Sequence, residues 1–135
     1  MVRMDNAFPP SSYRCILVVD DQRNMRATTA ILLRVEGYNV IEAATGEEAL
    51  EALAMREVDL LLTDLRMEPM DGLTLLQRAL EMVPGLQVII MTAFGSSESA
   101  AESMRLGAYD YIQKPMKAGE LQHKVARAVE RSRPL

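Results

Sequence analysis

Short unbroken apolar runs alternate along this chain with longer segments whose apolar residues recur at helical spacing. Leu60, Leu61 and Leu62 run into Thr63 and Asp64, and the loop that follows carries Pro69, Asp71 and Gly72. Such a run, bounded by turn residues, reads as a strand buried on both faces. On the same grounds the pattern predicts strands over residues 15–19, 38–42, 60–63, 87–91 and 109–113. Between them it predicts helices over residues 24–36, 46–55, 72–82, 96–106 and 118–131. The first helix is expected to bury Ile31, Leu32 and Val35 and to stop at Gly37. Thr45 and Glu48 have capping-box spacing, and the helix they open is expected to bury Ala49, Leu50 and Leu53. Leu73, Leu76 and Leu80 mark the inner face of the third helix, and Leu121, Val125, Ala128 and Val129 that of the fifth. The fourth is rich in Ser and Ala, with Met104, Leu106 and alanines to bury. Strict strand–helix alternation argues for an α/β fold, a parallel sheet with helices on both faces and right-handed crossovers.

That arrangement gives the strand ends a meaning. All C-terminal ends of a parallel sheet lie on one edge, where ligands bind in such folds. The first strand ends at Asp20 and Asp21, the third at Asp64, the fourth at Thr92, and the fifth leads to Lys114 and Pro115. Three carboxylates, a hydroxyl and an ammonium are therefore expected to converge. Two carboxylates ~5 Å apart repel by about 3 kcal/mol at an effective dielectric of about 20, so three need cations among them. Lys114 supplies one charge. A hard divalent ion suits an all-oxygen site, which makes Mg²⁺ the expected cofactor, with water completing its shell. A carboxylate beside such an ion and an ammonium can attack a phosphoryl group in line. For any one aspartate a turn or cap role is the commoner explanation; for the five residues as a set it is not.

Composition narrows the remainder. At 135 residues the chain suits one domain, expected over residues 13–132, between a flexible Pro/Ser-rich lead at 1–12 and a tail at 133–135. A net charge of −4 disfavours direct nucleic-acid contact. No stretch reaches the length of a membrane span, and the N-terminus lacks a signal-like apolar core, so a cytoplasmic protein is expected. A single cysteine, Cys15, and a single histidine, His123, exclude an intrachain disulfide and Cys- or His-built metal clusters. Cys15 reads as a core residue and His123 as solvent-facing.

The stretches ILVVDDQ, LLLTDLRMEPMDG, VIIMTA and YDYIQKP stand in an order and spacing that resembles a bacterial response-regulator receiver domain, over residues 14–131. The wording of VIIMTA and GAYDYIQKP is most similar to receivers of sigma-54-dependent transcription activators. The resemblance implies a doubly wound, flavodoxin-like sandwich with strand order 2-1-3-4-5. It implies a signalling switch, phosphorylated on Asp64 by a sensor histidine kinase, that modifies itself rather than turning over a substrate. Asp21, Asp64 and the backbone carbonyl of Arg66 would ligate Mg²⁺, with Asp20 acting through a bound water. Lys114 would pair with the phosphoryl oxygens, across a cis Lys114–Pro115 bond. Thr92 would donate its hydroxyl to the phosphoryl group, and Tyr111 would turn into the space Thr92 vacates. The kinase would grip residues 22–26 and the loop after strand five. A homodimer would form through helix 4, strand 5 and helix 5.

One position departs from the family's pattern. Proline usually stands four residues after the phosphoacceptor; here that residue is Glu68, with proline moved to Pro69 and the loop length kept. Glu68 adds charge beside an anionic pocket and is expected to slow phosphorylation or alter kinase choice. Three competing functions are weaker. An aspartate-nucleophile hydrolase wants a carboxylate two residues after the nucleophile, where Arg66 stands. A flavin or nucleotide binder wants a phosphate cradle after strand one, where VVDDQRN presents acid. A contact-only module would not need the site intact. Tyr111 has a plain alternative as a half-buried strand aromatic. No output motif is present, so the chain reads as a stand-alone receiver or as the N-terminal piece of a longer regulator.

Overall fold

The computed structural model describes residues 14–117 and 119–132. The lead expected at 1–12 and the tail expected at 133–135 lie outside the described residues. Ten elements follow in order: β1 Cys15–Val19, α1 Arg23–Val35, β2 Asn39–Ala43, α2 Gly46–Met55, β3 Leu60–Thr63, α3 Gly72–Met82, β4 Gln87–Thr92, α4 Ser97–Arg105, β5 Asp110–Gln113 and α5 Glu120–Ser132. The strands form one sheet, all neighbours parallel, in the order β2-β1-β3-β4-β5.

Side chains alternate across a strand, so each apolar run feeds two cores. Leu17, Val19, Leu61, Val88 and Ile90 face α2 and α3, where Ala49, Leu53, Leu75, Leu76 and Ala79 meet them. Ile16, Val18, Leu60, Leu62, Ile89, Met91 and Ile112 face α1 and α5, against Leu33, Leu121, Val125, Ala128 and Val129. β1 and β3 are buried at every position, as their unbroken runs predict. Cys15 is buried and His123 exposed, both as expected.

Local chemistry fixes the helix ends. Thr45 Oγ1 accepts the Glu48 N–H at 3.1 Å, while Glu48 Oε1 accepts the Ala44 N–H at 2.8 Å, one residue before the cap. Asp71 Oδ1 accepts the Thr74 N–H and so caps α3. Gly37, at φ 100°, follows α1 in a left-handed turn that favours glycine. Away from the site, at the N-terminal edge of the sheet, Asp59 accepts the Cys15 N–H at 2.8 Å and the Ser132 hydroxyl at 3.3 Å. Arg14 donates to Val129 O at 2.8 Å, so polar bonds tie the end of α5 to the sheet.

Three helix faces differ from expectation. α1 buries Thr29, Ala30 and Leu33, while Ile31, Leu32 and Val35 are 59%, 40% and 78% exposed. Helical spacing puts Thr29, Ala30 and Leu33 on the face that meets the sheet and turns Ile31, Leu32 and Val35 away from it. α3 buries Leu75, Leu76 and Ala79, leaving Leu73 and Leu80 half-buried. In α4 the buried residue is Ser103; Met104 is 47% exposed.

Candidate functional site

The parallel register carries the chemistry to one edge. Asp64 donates its backbone N–H to Val19 O at 3.0 Å, so the residue after β3 stands beside the end of β1. Lys114 donates its N–H to Thr92 O at 2.9 Å and stands beside the end of β4. The Lys114–Pro115 peptide is cis, as the resemblance implied, and so is Glu68–Pro69.

From these anchors Lys114 Nζ reaches Asp20 Oδ2 at 3.6 Å and Asp64 Oδ2 at 3.9 Å. The lysine side chain is only 9% exposed, which strengthens both attractions relative to a surface pair. The two aspartates are held differently. Asp64 Oδ1 accepts the Leu65 N–H at 2.7 Å, which orients the carboxylate and leaves Oδ2 toward Lys114. Asp20 Oδ1 accepts the Gln22 N–H at 2.9 Å, while its buried Oδ2 has no hydrogen-bond donor among the described residues. Burial pushes the Asp20 carboxyl above the usual aspartate range; the Gln22 N–H and Lys114 oppose that, and Asp64 and Asp21 add to it.

Gly72 makes the loop after Asp64 possible. A Cβ there would stand 2.2 Å from Asp64 O and 2.9 Å from Leu65 Cα, both backbone atoms. Only glycine lets the start of α3 pass so close to the chain at Asp64. Beside the loop opens a cavity of about 530 Å³ lined by Asp21, Arg66, Glu68, Asp71 and Ser99 among others.

The expected convergence is therefore partial. Asp20, Asp64 and Lys114 meet directly, whereas Asp21 is exposed at the cavity. Among the described residues no three His, Cys, Asp or Glu side chains are close enough to cage an ion. The donor set still suits a hard cation: it is all oxygen, Asp21 and Arg66 line the cavity beside it, and one buried carboxylate oxygen, Asp20 Oδ2, lacks a hydrogen bond. Thr92 is fully buried, and its Oγ1 accepts the Phe94 N–H at 3.1 Å. Arg66 lays its guanidinium 5.4 Å from the centre of the Phe94 ring, bridging the loops after β3 and β4. Tyr111 is half-buried against the α2–α3 core, with its hydroxyl 2.8 Å from Ser99 Oγ. Phe94 and Ser99 carried no signal beyond the Ser96–Ser99 spacing of a helix cap.

Comparison with known proteins bears on the family and the fold. The response regulator receiver domain family matches residues 16–126. The transcriptional regulatory protein ZraR of Escherichia coli O157:H7 is 42% identical over 114 residues, which are 84% of this chain and 26% of that protein. The C4-dicarboxylate transport transcriptional regulatory protein DctD of Rhizobium meliloti is 34% identical over 118 residues, 87% of this chain and 26% of that one. The chain thus spans about a quarter of the length of these curated relatives. Among solved structures, a CheY-like receiver domain protein from Methanospirillum hungatei superimposes with a TM-score of 0.83 at 33% identity, covering 88% of this chain and 95% of that one. NtrX from Brucella abortus gives 0.82 at 37% identity, covering 87% and 27%. The chain belongs to the response regulator receiver domain family, the phosphoacceptor switches of two-component signalling.

Proposed function

We propose that Asp64 is the phosphoacceptor and that Asp20, Asp21, Thr92 and Lys114 serve its reaction. The observation that carries this is the shared ammonium: one lysine, its side chain only 9% exposed, faces Asp20 and Asp64 at the ends of adjacent strands. Asp64 Oδ2 attacks the phosphorus of a phosphohistidine on the partner kinase. The new P–O bond forms as the P–N bond breaks, and the departing imidazole takes up a proton. The Leu65 N–H holds the attacking carboxylate in place through Oδ1. Lys114 offsets the charge gathering on the phosphoryl oxygens. The Thr92 hydroxyl, which accepts the Phe94 N–H in the unphosphorylated chain, would turn to donate its proton to a phosphoryl oxygen.

The all-oxygen edge suits Mg²⁺, which Asp21, Asp64 and the Arg66 carbonyl would hold, with Asp20 acting through a bound water. The ion would supply charge neutralisation and a template for the phosphoryl oxygens. A sensor histidine kinase is the donor, docking on the exposed residues 22–25 that open α1 and on the loop after β5. Self-association through α4, β5 and α5 is part of the same reading, supported by the exposed Met104 on α4. No helix among the described residues is long and apolar enough to cross a membrane, in keeping with a cytoplasmic switch. The naming of relatives as transcriptional regulators supports an output in transcription.

The test is intact mass after incubation with Mg²⁺ and acetyl phosphate. A gain of one phosphoryl group is expected, absent in Asp64→Ala and after chelation. An unchanged mass, or an equal gain in Asp64→Ala, would falsify the assignment.

A further inference from the structure

The start of α4 is held to β5 by hydroxyl groups. Ser96 Oγ accepts the Ser99 N–H at 3.0 Å, and Ser99 Oγ accepts the Ser96 N–H at 2.9 Å. Ser99 Oγ also lies 3.0 Å from Ser96 O, placed to donate its single proton there. Ser99 Oγ and Tyr111 Oη lie 2.8 Å apart, a hydrogen bond in which either hydroxyl can donate. Ser103, fully buried, donates to Ser99 O at 2.7 Å one turn later. Apolar anchoring is thin: Ser103 is the buried residue of α4, and Met104 faces solvent.

The phenol has its place only because residue 95 lacks a side chain. A Cβ on Gly95 would stand 1.7 Å from Tyr111 Oη and 2.8 Å from its Cζ. The loop that supplies this slot begins at Thr92, whose Oγ1 accepts the Phe94 N–H. Slot, phenol and serine pair thus form one connected path from the end of β4 to α4.

We infer that Ser99 and Gly95 are positioning residues that hold the Tyr111 hydroxyl against the start of α4 and fix that helix before any phosphoryl group arrives. The Ser99–Tyr111 bond, rather than apolar packing, sets where the start of α4 rests. Its link to signalling rests on the phosphoacceptor reading. When Thr92 turns to a phosphoryl group on Asp64, the Phe94 N–H loses its acceptor and the wall of the slot is freed. The latch then decides how far α4 responds.

The test is amide hydrogen exchange of α4 in the unphosphorylated chain, across a double-substitution cycle. Tyr111→Phe removes the phenol hydroxyl without touching the α4 cap and is expected to speed exchange across Ser97–Arg105 about fivefold, the worth of one ordinary hydrogen bond. Ser99→Ala speeds it at least as much, although alanine is the better helix former. The double substitution exchanges no faster than Ser99→Ala alone, and Ser99→Thr restores protection. Gly95→Ala, which deletes no polar atom, speeds exchange as Tyr111→Phe does. The inference is overturned if Tyr111→Phe or Gly95→Ala leaves α4 protected, if the two single effects multiply in the double, or if Ser99→Thr behaves as Ser99→Ala. Intact mass after acetyl phosphate treatment reports separately on the phosphoacceptor reading, so either idea can fail alone.

Discussion

Replacing Lys114 by methionine probes the electrostatics of the sheet edge at nearly constant volume. The ammonium stands 3.6 Å from Asp20 and 3.9 Å from Asp64, which at an effective dielectric of about 20 is a gross attraction of about 4 kcal/mol for each pair. Desolvation of the three groups cancels much of it. The substitution, however, removes one partner and leaves Asp20, which is 2% exposed, with its charge uncompensated. Breaking a buried pair in this way costs about 3–5 kcal/mol. The loss depends on pH, because the carboxyl can relieve it by taking up a proton. Burial already raises the Asp20 pKa above its ordinary 3.8, and removing Lys114 raises it further. A carboxyl raised in the folded state favours folding below its unfolded pKa, and that contribution is lost as pH rises through the folded value. The cost of Lys114→Met is therefore full at neutral pH and shrinks toward the acid side. Urea unfolding followed by circular dichroism, in chelator at pH 7 and pH 4, gives both numbers. The expectation is a loss of about 3 kcal/mol at pH 7, a markedly smaller one at pH 4, and partial recovery on adding Mg²⁺ at pH 7. Losses that are equal at the two pH values would refute the electrostatic argument and assign the effect to packing.

Other consequences follow from single residues. Gly72→Ala drives a Cβ to within 2.2 Å of Asp64 O and should cost at least about 2 kcal/mol in urea unfolding, since neither neighbour is a flexible side chain. It should also slow acetyl phosphate labelling by displacing Asp64. Tyr38 has its hydroxyl pKa raised above 10.0, chiefly by burial and then by Glu36 and Glu130, with Arg14 opposing. Its contribution to stability is present below pH 10.0 and lost as pH rises through the higher folded value. Wild type should thus lose stability more steeply than Tyr38→Phe in urea titrations above that pH; parallel curves would refute the assignment. Glu68 is exposed beside the anionic cavity, so Glu68→Gln should raise the rate of acetyl phosphate labelling about twofold at low salt, with the difference fading near 1 M salt.

Which of these features could be read from the chain depended on how many partners each needs. β1 and β3 needed only their own apolar runs, because a strand buried on both faces looks the same whichever way it is turned. Asp64 and Lys114 were legible because parallel strands send every C-terminus to one edge, so topology alone brings them together. Orientation within that edge was not legible. Asp20 and Asp21 are neighbours with the same side chain, yet one is buried against Lys114 and the other is exposed, since consecutive residues leave a strand in opposite directions. The face of α1 was misread for a related reason. Bulk apolar residues suggest burial, but the face of α1 that meets the sheet carries Thr29, Ala30 and Leu33, and Ile31 and Val35 lie on the opposite one. The Ser-rich start of α4 shows the limit most clearly. As a string it reads as weakly anchored, because polarity hides its use. Its anchor is a tyrosine twelve residues beyond Ser99, admitted by the missing side chain at Gly95. A hydroxyl pair has no periodicity to betray it, so a latch of this kind becomes visible only when the two elements are laid side by side.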